Sequence, residues 1–296
     1  MSFATFAKGQ VAPPLESKRF SADTASQEET AFTVVELIVM VGTLCLLTLA
    51  LTSTVASTRP GAATVTCMNN LRQLGNAWQM YADDYNGNLV YNRDGISNGK
   101  SAGNECWVGG WLDFSSANTD NTNTSVLVDH ARYPYGAYLG PYLKSADLFR
   151  CPADGSFVTI GDQQIHRVRS YSMNNTFGLE ARMWTTPSSF TFHTNLSNIK
   201  LPHQVFVLLE ESYGSINDGC FFSDPDTIWQ IVDFPADYHH ASCNFFFADG
   251  HTELHRWKDS RTMPVIAPSG YVPGVNENLP GDVDVDWLNQ HVSERR

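Results

Sequence analysis

Between Ala31 and Ser57 the chain reads AFTVVELIVMVGTLCLLTLALTSTVAS, and from Val34 to Leu51 Glu36 is the only charged side chain. A bilayer core is about 30 Å thick and takes roughly 20 mostly apolar helical residues to cross. A helix also closes its own backbone hydrogen bonds inside lipid. The run therefore predicts a membrane helix. Glu36 stands out in it, because a carboxylate near the end of an apolar helix is costly and marks a function.

Past this run, Arg59-Pro60-Gly61 interrupts the helix, since Pro lacks a backbone donor and clashes one turn back. Apolar residues then recur at three- and four-residue spacing: Val65, Met68, Leu71, Leu74, Trp78, Tyr81 and Tyr85. That spacing predicts an amphipathic helix with a core-facing stripe. Asn86-Gly87-Asn88 supplies its stop. Together the two segments predict one helix of roughly 50 residues, kinked at Pro60.

Later the period changes from helical to two. Strands are expected at Val168–Met173, Val205–Glu210, Cys220–Phe222, Asn244–Ala248 and Thr252–Trp257, with Asp249-Gly250-His251 as a tight turn. In the fourth strand, Phe245 and Phe247 take one face, and Asn244, Phe246 and Ala248 the other. One face is expected to meet the stripe of Leu71, Leu74 and Trp78. Tyr133 to Leu148 predicts a short helix or turn, Ser115 to Ser125 a polar surface loop, and Val285 to Leu288 a last helical turn. The fold class is α+β: a long kinked N-terminal helix packed on an antiparallel sheet.

With 296 residues, the chain has room for one anchor and one sizeable domain. Its 19 Lys and Arg against 31 Asp and Glu give a net charge of −12. Nothing basic clusters, so no nucleic-acid partner is expected, because such binding replaces counterions with Lys and Arg. Lys8, Lys18 and Arg19 precede the apolar run, against Arg59 and Arg72 beyond it, a mild bias toward a cytoplasmic N-terminus. The run has no A-x-A-like exit, which disfavours its removal as a signal peptide. The body of the chain would then lie on the outer side of the inner membrane. Cys45 falls within the apolar run, leaving Cys67, Cys106, Cys151, Cys220 and Cys243, and no C-x-x-C pair occurs.

The Ala31-Phe32 pair, followed by Glu36 at the fifth place from Phe32, resembles the prepilin-type cleavage and methylation signal of type IV pilins and type II secretion pseudopilins. Ala31 stands where that family mostly has Gly. Three further motifs resemble the G-like pseudopilins of the Verrucomicrobia and Planctomycetes type. They are Cys67-Met68-Asn69-Asn70-Leu71-Arg72-Gln73-Leu74, the segment Cys151-Pro152-Ala153-Asp154, and His239 followed after nine residues by Asp249-Gly250, an H-x9-DG pattern. The resemblance spans Ala31 to Trp287. It implies a pilin-like fold, with a leader over 1–31 and a transmembrane or assembly helix over 32–58. The amphipathic helix would occupy 59–88 and a periplasmic domain 89–290.

As partners the resemblance implies a prepilin peptidase that cuts before Phe32, and other pseudopilin subunits met through the N-terminal helix. Glu36 would pair with the new terminal amine of a neighbour. The inner membrane is the expected location, single-pass. A Cys67–Cys151 disulfide is expected from the compartment and from both cysteines lying in family-like motifs.

Chemistry has weaker signals. His239, His240, Asp249, His251 and His255 crowd one predicted hairpin, but a zinc hydrolase needs three ligands, an open position and a base. His239 and His240 precede the strand and are expected to face solvent, so the hairpin-shaping reading is preferred and no metal site is assigned. Replacing an exposed His239 would then cost little. Glu210, Glu211, Asp218, Asp224 and Asp226 form an acidic stretch; Asp218, Asp224 and Asp226 are calcium candidates, although the EF-hand spacing is absent and an acidic solvated loop explains the same residues. No other cofactor is expected. No G-x-S-x-G, Walker or G-x-G-x-x-G pattern occurs, so no enzyme activity is expected. Two readings result: a structural subunit of a secretion filament, or a membrane-anchored binding module or hydrolase that uses Trp107, Trp111, Trp184 and Trp229 for glycans or substrate.

Overall fold

A computed structural model describes residues 33–55, 61–179, 189–227, 229–271 and 277–296, with side chains described for 33–44 of the first segment. The chain divides into two compact units, Met1–Arg59 and Pro60–Arg296. In the first, helix α1 spans Val34–Val55. The Thr33 hydroxyl accepts from the Glu36 N–H at 3.3 Å, while the Glu36 carboxylate accepts from the Thr33 N–H at 2.9 Å. This reciprocal arrangement is a capping box, which satisfies two of the orphan donors at a helix start.

The second unit begins with α2, Ala62–Asp84, then α3, Ser125–Val128. Strands follow: β1 Phe157–Ile160, β2 Gln163–His166, β3 Tyr171–Asn174, β4 Phe206–Glu210, β5 Cys220–Phe221, β6 Gln230–Ile231, β7 Ser242–Phe247, β8 Thr252–Arg256 and β9 Glu277–Asn278. Helix α4, Val283–His291, closes the chain. The main sheet has the order β5-β3-β4-β7-β8, with β1-β2 and β6-β9 as separate two-stranded pairs.

The expectation of one kinked helix of roughly 50 residues, packed on an antiparallel sheet, is corrected. Two helices of 22 and 23 residues stand in different units. Gly61 takes an extended ψ of 156° and acts as the cap from which α2 starts anew, its carbonyl accepting from the Val65 N–H. Pro60 lies outside the described residues. Among the described residues no helix is long and apolar enough to cross a membrane. The sheet is mixed, because β5 runs parallel to β3, Met173 opposite Cys220, while the other neighbours are antiparallel.

Period-two alternation along β7 divides the interior. Phe246 joins Leu71, Leu74 and Trp78 of α2 in one core, whereas Phe245 and Phe247 pack with Trp257, Leu288 and Val292 on the opposite side. Gly75 sets how closely α2 approaches: a Cβ there would sit 2.2 Å from the Phe246 ring. At the end of α2, Asn86 adopts a φ of 56° and the Gly87 N–H donates to the Ala82 carbonyl at 2.7 Å. Asp282 caps α4, its side chain accepting from the Asp284 and Val285 amides.

The β7-β8 turn holds Gly250 at φ 95°, with the Gly250 N–H donating to the Phe247 carbonyl at 2.9 Å. A β-branched residue resists that backbone. Gly250→Val is expected to destabilise the domain by about 2 kcal/mol, read as a lower urea midpoint at unchanged slope.

Other local expectations shift. The Tyr133 to Leu148 stretch forms two 3-10 turns, Gly140–Tyr142 and Ala146–Phe149. The polar tract is not wholly a surface loop: Asn121 is fully buried, and its amide donates to Asp113 and to the Ser115 carbonyl. Trp107 is also buried, its Nε1–H donating to the Gly219 carbonyl at 2.8 Å, so it offers no surface for a glycan.

Candidate functional site

Four parts of the second unit meet at one buried point. Helix α2 brings Thr64 and Cys67, three residues apart and thus on one face. The segment after the second 3-10 turn brings Cys151, β4 ends in Glu210, and the turn before β7 brings His239. Cys67 and Cys151 are joined in a disulfide with Cα atoms 5.1 Å apart. One ligand-type atom from each of Cys67, Cys151, Glu210 and His239 lies within 4.8 Å of the others, and all four residues are buried.

His239 is held on both ring nitrogens. Its Nε2 lies 2.9 Å from Glu210 Oε1 and 3.5 Å from Cys151 Sγ, and its Nδ1 lies 3.2 Å from the Thr64 hydroxyl. The other oxygen of Glu210 accepts from the Asn244 backbone N–H at 2.8 Å and its side-chain amide at 3.1 Å. With Asn244 occupying Oε2, Oε1 accepts from His239 Nε2–H, and Nδ1 exchanges a hydrogen bond with Thr64. The side chains of His239 and Glu210 are 2% and 0% exposed, so the carboxylate depends on these donors for the solvation it has lost.

The surroundings extend the node. The Cys151 N–H donates to the Ser170 hydroxyl, which donates to the Asp154 carboxylate at 2.6 Å. The Tyr171 hydroxyl reaches the Cys67 carbonyl at 3.4 Å. Asp154 of the Cys-Pro-x-Asp segment is thus a structural partner of the disulfide loop.

His239 is therefore not solvent-facing, which corrects the sequence reading; the backbone before β7 folds inward, so that of these two neighbours His239 is buried and His240 exposed. His251 is instead paired with Asp249 at 2.6 Å, and His255 stacks on Trp287 with ring centroids 3.8 Å apart. Burial in that aromatic cluster holds the His255 imidazole down near a pKa of about 4. The four histidines of the predicted hairpin thus stand in four different environments. Glu210 is the residue that sequence reasoning missed as a partner of His239; nothing in a single strand's period reveals a contact made across β4 and β7.

The calcium candidates are not brought together into a group of convergent ligand atoms among the described residues. Asp218 accepts from the Gly95 and Cys220 amides at 2.6 and 2.8 Å. Asp224 accepts from the Asp226 N–H, and Asp226 from the Ser189 N–H and hydroxyl. Glu210, Glu211 and Asp218 are buried, so the acidic stretch is not the solvated loop its composition suggested. Burial, then the nearby Asp233, pushes Glu211 well above the ordinary carboxylate range. Arg169, itself fully buried, lies among these acids and is lowered by its own desolvation to about 10.

Burial likewise raises Asp218 from 3.8 to about 6, against the two amides that favour its anion. A carboxyl whose folded pKa is raised stabilises the fold below the unfolded value and loses that stability as pH rises through the folded value. Between pH about 4 and about 8, the wild type is expected to lose about 2 kcal/mol from this group alone. Asp218→Asn should lack that component, so the difference between the two denaturation free energies should move in the variant's favour as pH rises. A pH-independent difference would contradict it.

The processing residues Ala31 and Phe32, and also Trp184, lie outside the described residues, as does the leader. No family model matches the chain, and neither a curated protein nor a solved structure is significantly similar to it.

Proposed function

We propose that the chain is a structural subunit of a pilus-like filament of the type II secretion kind, delivered from the inner membrane after a prepilin peptidase cuts between Ala31 and Phe32. The observation that carries this reading is the surface of α1. Val34, Val35, Leu37, Ile38, Val39, Met40, Val41 and Leu44 are all 53–72% exposed, on every side of the helix. A helix that is apolar all round requires burial, in lipid or among other helices. Its one carboxylate, Glu36, sits in the first turn and is hydrogen-bonded by its own capping partner, Thr33. In an assembled filament that carboxylate would exchange Thr33 for the amine of a neighbouring Phe32, and the apolar surfaces of neighbouring α1 helices would cover one another. The Pro60–Arg296 unit would then be the periplasmic body.

The test is mass spectrometry of the mature N-terminus in cells with an active prepilin peptidase. A chain beginning at N-methylated Phe32 is expected, and recovery of intact protein from Met1 would overturn the reading. Glu36→Ala is expected to leave the chain in the membrane and abolish its cross-linking into oligomers. Unchanged oligomers would show that Glu36 serves only as a cap.

A further inference from the structure

We propose that the Cys67–Cys151–His239–Glu210 node is a zinc site in its reduced state, so that the disulfide and a bound zinc ion are alternative fillings of one buried position. The inference is independent of whether α1 enters a filament, since every residue involved lies in the Pro60–Arg296 unit.

The donor set is the first argument. Two thiolates, one imidazole and one carboxylate are the ligand types zinc takes in four-coordinate sites. The geometry is the second. With Zn–S near 2.3 Å and Zn–N near 2.05 Å, a tetrahedral N···S edge is roughly 3.5 Å. The observed separation of His239 Nε2 from Cys151 Sγ is 3.5 Å. Two sulfurs on one zinc stand roughly 3.8 Å apart, a separation that side chains with Cα atoms 5.1 Å apart can span by rotation about χ1.

Outer partners are the third argument. Ligating histidines commonly donate their other ring N–H to a neighbour, which fixes the ring, and ligating carboxylates are themselves hydrogen-bonded. Thr64 stands at Nδ1 of His239, and Asn244 holds the second oxygen of Glu210. Burial then removes competing water from all four ligands.

The chemistry balances as follows. A dithiol reductant gives two electrons and two protons to the Cys67–Cys151 bond, forming two thiols and leaving its own disulfide. Zinc then displaces the two thiol protons to solvent as both sulfurs become thiolates. His239 turns its Nε2 lone pair to the metal, its proton now on Nδ1 and donated to the Thr64 hydroxyl. Because the site is closed, loading belongs to folding of the reduced chain. Oxidation before loading commits the chain to the disulfide instead.

The experiment uses the full chain in detergent, denatured and reduced, then refolded either with zinc and a phosphine reductant or under oxidising conditions. One zinc per chain is expected in the reduced sample and none in the oxidised sample, by elemental analysis. Cobalt in place of zinc should give intense visible bands of tetrahedral Co(II) and near-ultraviolet thiolate-to-metal absorption. His239→Gln and Cys67→Ser should each remove the stoichiometric metal. If either variant fails to fold, the cobalt spectrum of the wild type decides the matter by itself. Reduced wild type that folds, judged by circular dichroism, yet takes up no zinc would overturn the proposal. Zinc retained after both substitutions would overturn it as well.

Discussion

Replacing His239 by Ala is expected to destabilise the Pro60–Arg296 unit by about 3–5 kcal/mol, the usual consequence of leaving a buried charge without its partner. The reason lies in Glu210, whose side chain is 0% exposed and whose Oε1 is hydrogen-bonded by the imidazole at 2.9 Å. Once the ring is gone, that oxygen keeps its desolvation penalty and loses its donor. Asn244 continues to serve the other oxygen. The cycle completes the test: adding Glu210→Leu to His239→Ala should recover part of the loss, since the unmet charge is gone while the two Asn244 donors lose their acceptor. Denaturation of the single and double variants in urea, with a metal chelator present, measures it. A loss in the double variant equal to the sum of the losses in His239→Ala and Glu210→Leu would show that the pair is not energetically coupled.

Loss of the disulfide should be comparable. Cys67 and Cys151 are 84 residues apart in sequence, and closing a loop of that size restricts the unfolded chain by about 4.5 kcal/mol in the chain-entropy model. Measured values run at about 2–5 kcal/mol for native disulfides in small domains. Cys67→Ala with Cys151→Ala is therefore expected to lower the unfolding free energy into that range. The bridge ties α2 to the segment before Asp154, so its removal also frees the loop that Ser170 and Asp154 organise. Calorimetry of the double variant against the oxidised wild type checks the size. A change below about 1 kcal/mol would mean that packing at the node, not the cross-link, supplies its stability. Zinc binding by the reduced wild type would appear in the same measurement as a rise in stability with free zinc concentration.

Local periodicity carried a good deal of this structure. The stripe Leu71, Leu74 and Trp78 is buried on α2, and the strand runs coincide with β4, β7 and β8 to within a residue or two. Side chains four apart on a helix, or two apart on a strand, share a face whatever the rest of the chain does. Turn chemistry was legible for the same reason: Asp249-Gly250 needs only its own backbone to form a hairpin.

What periodicity does not contain is the meeting of elements distant in sequence. His239 precedes β7 in a segment with no alternation to orient it, and only the fold turns it inward onto Glu210. Asp218 and Glu211 read as solvated acids because composition registers charge but not burial. The continuous 50-residue helix failed for a related reason. The two helical patterns are real, but a helix crosses a Pro-Gly junction only when packing supports it, and Gly61 adopts extended geometry instead. By itself, then, the sequence determined helical and strand segments, the hairpin turn, the all-round apolar face of α1 and the motifs on which the filament proposal rests. The tertiary structure decided which of those motifs converge. It brings one cysteine from each of two motifs, and the histidine of a third, onto the carboxylate of β4. The physical reason is that hydrophobic burial, a non-directional force, draws the motif-bearing segments together across the core. Contact between residues 29 to 175 positions apart leaves no mark on the period of either segment.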